Sequence, residues 1–322
     1  SLMGNFFTSL FSGSSESPEE SKAKEDKKNF DIFKYDGVRA QKIGQVTYAI
    51  KCFLEALKIQ SDFETMGYLA VAYTSVNQLE EASQVYDQMV EAEPDHLSTW
   101  ITRANLAYMM ERYESVIEGT TYVIEKDNTL ANAFYLRGKA YQGLSDLLNA
   151  LADLTRTIAL KDDYTEAYLS RAEVLLGMRQ ADEALTDVEK ALELSPEEEA
   201  LYLLRGQIHE SQDNLDAAHE DYQYVLDLNP FNEDAYVMKG KLLIKQGKPA
   251  EAADLFTDAI ELKPDFAKAF AERGRAYTLL GKSKEALEDL KQAIELDPQG
   301  EEAKKIEGQH TNFDDMYKGG IF

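Results

Sequence analysis

Apolar residues recur along this chain at the three-to-four spacing of amphipathic helices, and the whole pattern returns every 34 residues. Prolines mark the period. Pro196, Pro230, Pro264 and Pro298 follow one another at 34-residue intervals, and Pro94 lies three such intervals before the first of them. Asn128 and Asp162, both turn formers, fill the two missing places. With residue 63 as the first of a frame, frames begin at 63, 97, 131, 165, 199, 233 and 267. Frame position 8 is always small: Ala70, Ala104, Gly138, Ala172, Gly206, Gly240 and Gly274. Position 20 holds Ala82, Val116, Ala150, Ala184, Ala218, Ala252 and Ala286. Position 4 is large, with Met66, Trp100, Phe134, Tyr168, Tyr202, Tyr236 and Phe270. Position 24 is Tyr86, Thr120, Leu154, Val188, Tyr222, Phe256 and Leu290. A frame one residue shorter, over 30–62, carries Phe33, Gly37, Ala49 and Phe53 at the matching places, which makes eight repeats.

Each frame predicts two helices. Positions 4 and 8, then 20, 24 and 27, fall on one stripe of each. Small residues at 8 and 20 let the two helices approach, and the large residue at 4 fills the space beside them. Pro or Asp after the second helix ends it. A single helix pair cannot bury its own apolar face, so neighbours must stack. The expected organisation is a polar tail over 1–29 with a Phe-rich start, an array over 30–300, and a cap and tail over 301–322. Residues 12–28, rich in Ser, Glu and Lys, read as a polar linker. The apolar stretches Phe6 to Phe11 and Phe313 to Phe322 are expected to dock on this chain or on a second copy. Met3 to Thr8 also fits the short pattern for myristoylation, a pattern that arises often by chance.

Composition narrows the chemistry. A net charge of −25 over 322 residues argues against nucleic acid and anionic membranes as partners. At 44% hydrophobic residues the chain is too apolar for acidic disorder. No apolar run approaches the ~20 residues of a membrane span. The single cysteine, Cys52, makes no intrachain disulfide and fits a reducing compartment, so a cytoplasmic location is expected. His96, His209, His219 and His310 give no metal-ligand spacing, and glycine-rich phosphate loops are missing. No catalytic, cofactor or metal site is expected.

These positions resemble the tetratricopeptide repeat (TPR). Met66, Ala70, Tyr73, Ala82, Tyr86 and Pro94 carry the resemblance in one frame, and Phe270, Gly274, Tyr277, Ala286, Leu290, Ala293 and Pro298 in the last. It implies an all-α fold: a right-handed α-solenoid superhelix of about eight helix-turn-helix units, with a concave groove lined by first helices. It also implies a non-catalytic scaffold that binds a protein or peptide in that groove. The alternative is a self-assembling structural protein, a homo-oligomer held through its terminal tails.

In the family, positions 2, 5, 9, 12 and 13 of first helices face the groove. Position 5 here is Ile101, Tyr135, Leu169, Leu203 and Val237, an apolar line that is either an interface or covered within the stack. Lys241, Lys245, Lys268 and Arg275 fall at positions 9, 13, 2 and 9. They either take an acidic segment or a C-terminal carboxylate, or are solvated beside acidic neighbours. The dicarboxylate clamp of some relatives is doubtful here. Asn105 and Lys139 stand at consecutive position-9 sites, but Glu173 follows and the clamp lysines at position 5 are absent. At position 7, Arg137, Arg171, Arg205 and Arg273 each accompany an Asp at position 23, namely Asp153, Asp187, Asp221 and Asp289. Such matched pairs read as internal ion pairs rather than ligand contacts. Arg103 faces Gly119 instead and is expected to find Glu114 or Glu118, or to remain free for a ligand.

Overall fold

The computed structural model describes residues 15–305, and among them there are sixteen α-helices and no strand. The chain divides into two compact units, Ser1–Lys161 and Asp162–Phe322. In the first unit the helices are α1 (Pro18–Lys42), α2 (Val46–Ile59), α3 (Phe63–Ser75), α4 (Leu79–Ala92), α5 (Leu97–Met109), α6 (Tyr113–Lys126), α7 (Ala131–Gly143) and α8 (Leu147–Leu160). The second unit holds α9 (Thr165–Gly177), α10 (Ala181–Leu194), α11 (Glu199–Ser211), α12 (Leu215–Leu228), α13 (Glu233–Lys245), α14 (Pro249–Leu262), α15 (Ala267–Leu279) and α16 (Ser283–Leu296). Helical backbone resumes over 301–305, where the described residues end. The apolar stretches expected to dock, Phe6 to Phe11 and Phe313 to Phe322, and the Met3 to Thr8 pattern lie outside the described residues.

Local chemistry sets the helix ends. Asp62 caps α3 by accepting the Thr65 N–H at 3.0 Å, and Asn232 caps α13 through Ala235 N–H at 2.9 Å. Pro249 opens α14, where its missing N–H leaves no bond unmade. The turn inside each pair passes through a left-handed residue at frame position 15. Gly44, Gly247 and Gly281 serve there, but so do Asn77, Glu111, Ser145, Arg179 and Asp213, with φ of 58–62°.

One expectation fails at the N-terminus. The stretch read as a linker over 12–28 is helical from Pro18 onward. Ser17 accepts the Glu20 N–H while the Glu20 carboxylate returns to the Ser17 N–H, and Pro18 takes the first helical position. The Glu and Lys that made this stretch look like a linker are also strong helix formers.

Within each pair, positions 8 and 24 meet. A Cβ added at Gly206 would collide with the Tyr222 ring, and one at Gly240 with the Phe256 ring. Both rings are fully buried. Where position 24 is smaller, as at Val188, position 8 can be alanine, as at Ala172. Three of the large position-4 residues tie their pair to the preceding loop. The Trp100 indole N–H donates to the Pro94 carbonyl at 2.9 Å, Tyr168 OH to Asp162 at 2.8 Å, and Tyr202 OH to Pro196 at 2.6 Å. First helices of successive pairs also touch, as α9 does α11, α11 does α13, and α13 does α15.

Candidate functional site

The arginine ladder is structural. Arg137 grips Asp153 with two hydrogen bonds of 2.8 and 2.9 Å, and Arg171 grips Asp187 with two of 2.7 Å. Arg205–Asp221 and Arg273–Asp289 repeat the arrangement at 2.8–3.0 Å. All four aspartates are buried. Hydrogen bonds to these aspartates raise the guanidinium pKa values, against burial, which lowers them. Each guanidinium also lies over the position-4 ring three residues earlier, at 5.4 Å for Arg205 on Tyr202 and 5.5 Å for Arg273 on Phe270. With each guanidinium gripped by a buried aspartate of its own repeat, the ladder is a set of internal ion pairs.

Arg103 finds neither Glu114 nor Glu118. Its Nε donates to Asp87 Oδ1 at 2.8 Å, sixteen residues back, on the second helix of the preceding repeat. The same backward reach brings Arg137 to Thr121 and Arg273 to Thr257, both at 3.2 Å. Arg137 and Arg273 therefore each touch two second helices, their own and the one before. Gly119 leaves a cavity of about 100 Å³ where the missing position-23 side chain would lie.

The position-5 residues divide. Ile101 and Tyr135 in the first unit, and Leu169 in the second, are half-buried. Leu203 and Val237 are only 6% and 8% exposed and belong to the core of the second unit with Tyr236 and Tyr222. They are not part of an exposed apolar line, because contact between successive first helices covers this position. Asn105 is exposed on α5, and Lys139 on α7 is half-buried, with its ammonium on Gln142 Oε1 at 3.3 Å.

The basic residues behave differently. Lys241 from α13, with Lys268 and Arg275 from α15, line one cavity of about 410 Å³ in the second unit. Lys304 and Lys305 line it from the helical backbone over 301–305. Lys245 is exposed, one turn beyond Lys241, and lies outside the lining. Glu272, only 3% exposed, also lines the cavity. Lys241 Nζ is 3.8 Å from its Oε1 and Arg275 Nη1 is 3.7 Å from its Oε2. Both separations allow ionic attraction but are too long for hydrogen bonds. Oε2 has no hydrogen-bond partner among the described residues. Asp297, Glu301 and Glu302 also line the cavity, so five cations face four carboxylates on a chain of net charge −25.

Reading the sequence missed Glu272. The signal was there: position 6 is Tyr68, Thr102, Leu136, Ser170, Leu204 and Met238 in the other frames, uncharged until Glu272. The two histidines of repeat six do not converge. His209 Nε2 lies 3.7 Å from Asp221, and His219 Nε2 lies 2.6 Å from Gln246 Oε1.

The fold is that of the helical-repeat proteins, stacked pairs of antiparallel helices of near-constant length. The tetratricopeptide-repeat family profile matches residues 169–233 and 237–301, both in the second unit. Over those two stretches the chain carries tetratricopeptide repeats. A solved tetratricopeptide repeat protein from Parabacteroides merdae is similar in structure, with a TM-score of 0.64 and 16% identity over 76% of this chain and 96% of that one. YrrB, described as a TPR protein with an unusual peptide-binding site, gives a TM-score of 0.42 and 25% identity over 60% of this chain and 99% of its own. MamA from Desulfovibrio magneticus RS-1 gives 0.49 and 16% identity over 52% and 96%. No curated protein matches the chain significantly. Among the described residues, no helix is long and apolar enough to cross a membrane.

Proposed function

We propose that this chain is a non-catalytic cytoplasmic scaffold that holds an acidic segment of a partner protein in the charged cavity of its second unit. Tetratricopeptide-repeat proteins are in general protein-interaction scaffolds. The observation that carries the finer reading is the convergence of Lys241, Lys268 and Arg275, from two first helices, on one cavity. Half-exposed cations gathered there retain donors for a carboxylate. Ile101, Asn105, Tyr135 and Lys139 on α5 and α7 offer the first unit a mixed apolar and polar surface for further contact, and Leu169 offers the second a half-buried apolar one. The lone thiol, Cys52, is free and buried, which suits a reducing compartment.

Affinity capture from native lysate tests the reading. The parent chain is compared with a Lys241→Glu, Lys268→Glu, Arg275→Glu variant of equal thermal stability. The variant is expected to lose the acidic partners. An identical partner set for both proteins ends the proposal. Self-assembly through the tails is tested separately by native mass spectrometry of a chain lacking residues 1–15, which leaves α1 and its Ser17 cap in place. An unchanged oligomeric state rules out assembly through that tail.

A further inference from the structure

Glu272 is an odd residue to bury. A carboxylate withdrawn from water is costly unless it is paired and hydrogen-bonded, and Oε2 has no hydrogen-bond partner among the described residues. The frame does not require a charge here, since the same position is Met238 in the preceding repeat. What Glu272 does have is two cations, Lys241 and Arg275, each within 4 Å and each beyond hydrogen-bond reach. Their side chains are 48% and 49% exposed, against 4% for Glu272. The carboxylate therefore attracts both cations to the cavity without saturating their donors. It stands where a ligand's carboxylate would be drawn, held by the same two groups.

From this we infer that Glu272 is a built-in counter-anion: it gathers Lys241 and Arg275 in the free protein and competes with the carboxylate of an incoming acidic peptide. The inference rests on the cavity being the peptide site. It adds that affinity there is held down from within. An arriving carboxylate meets cations already neutralised in part, and it must approach a buried like charge. Removing that charge without changing the shape of the side chain relieves the repulsion and frees both cations. The ligand chemistry is a carboxylate, whether on a side chain or at a chain terminus.

Fluorescence polarisation with the full chain tests this. The probe is a labelled peptide of alternating Glu and Gly, used with a free C-terminus and with an amidated one, beside a Gln–Gly control. Glu272→Gln and Glu272→Met are compared with the parent; the second restores the residue type of the preceding repeat. Both variants are expected to bind the Glu–Gly probe about tenfold more tightly, the scale of one like charge a few ångström away in a water-like dielectric. Both should melt no lower than the parent, since an unbonded buried charge has been removed. Tightening with both probe termini assigns the carboxylate to side chains, and tightening only with the free terminus assigns it to the chain end; either supports the inference. Affinity unchanged or weakened in both variants overturns it. A Lys241→Glu, Arg275→Glu protein that binds the probe as the parent does would instead remove the cavity from the binding site, and the proposed function would fall with it.

Discussion

Asp187 is 5% exposed and receives two hydrogen bonds from Arg171. Replacing it with Asn leaves a guanidinium in the stack without its counter-charge. Loss of one partner of such a pair costs about 3 kcal/mol or more. Asp187→Asn should therefore lower the thermal midpoint clearly, and Asp187→Lys further; a midpoint unchanged in both would show the pair to be dispensable. Gly119 poses the opposite case. It sits inside α6, where glycine is a poor helix former, beside the 100 Å³ cavity and 3.9 Å from Arg103 Nη1 as measured from an added Cβ. That spacing is ordinary contact. Gly119→Ala should stabilise by about 1 kcal/mol through helix propensity. Gly119→Asp should stabilise at least as much, because it restores the position-23 partner that four other arginines have. Denaturant titration of both variants checks the order; destabilisation by either would mean the cavity is needed.

At the scale of the element, the caps and turns were only partly legible. Ser17 and Pro18 form a helix start that the sequence displays plainly, yet the polar run behind them hides it, because the first turns of this helix, over 18–28, bury no residue and so show no hydrophobic period. The start of α3 depends on a contact from another helix. Asp62 accepts the Thr65 N–H and also meets Lys34 of α1 at 3.0 Å. Burial raises the Asp62 pKa, but hydrogen bonds from Thr65 and Lys34 outweigh it and leave the carboxyl below its usual value. A carboxylate depressed in the folded state contributes stability that is present above its unfolded pKa of about 3.9 and lost as pH falls through the folded value. Acidification below about pH 4 should thus weaken this junction, by on the order of 1 kcal/mol at a partly exposed pair. Asn still caps helices but carries no proton to gain. The thermal midpoint of Asp62→Asn should consequently fall less steeply with acid than that of the parent. Equal slopes would mean that other carboxylates control the response.

For the whole molecule, the net charge of −25 is the dominant electrostatic fact. Like charges repel across the surface and oppose compaction, whereas the buried Arg–Asp pairs are little screened. Moderate salt should therefore raise the unfolding midpoint; a midpoint that falls with salt would show that exposed ion pairs outweigh the repulsion. The 34-residue period, the two helices per frame and the all-α class could be read from the sequence alone. The reason is geometric: helix spacing is fixed at 3.6 residues per turn, and repetition shows the same stripe eight times. Matched Arg and Asp were legible for the same reason, since both ends of each pair recur in phase. Contacts between repeats were decided only in the tertiary structure. Arg103 turns back to Asp87, Leu203 and Val237 are covered by neighbouring helices, and Glu272 is buried between Lys241 and Arg275. Each of these depends on how one helix pair seats against the next, and no spacing along a single helix encodes that.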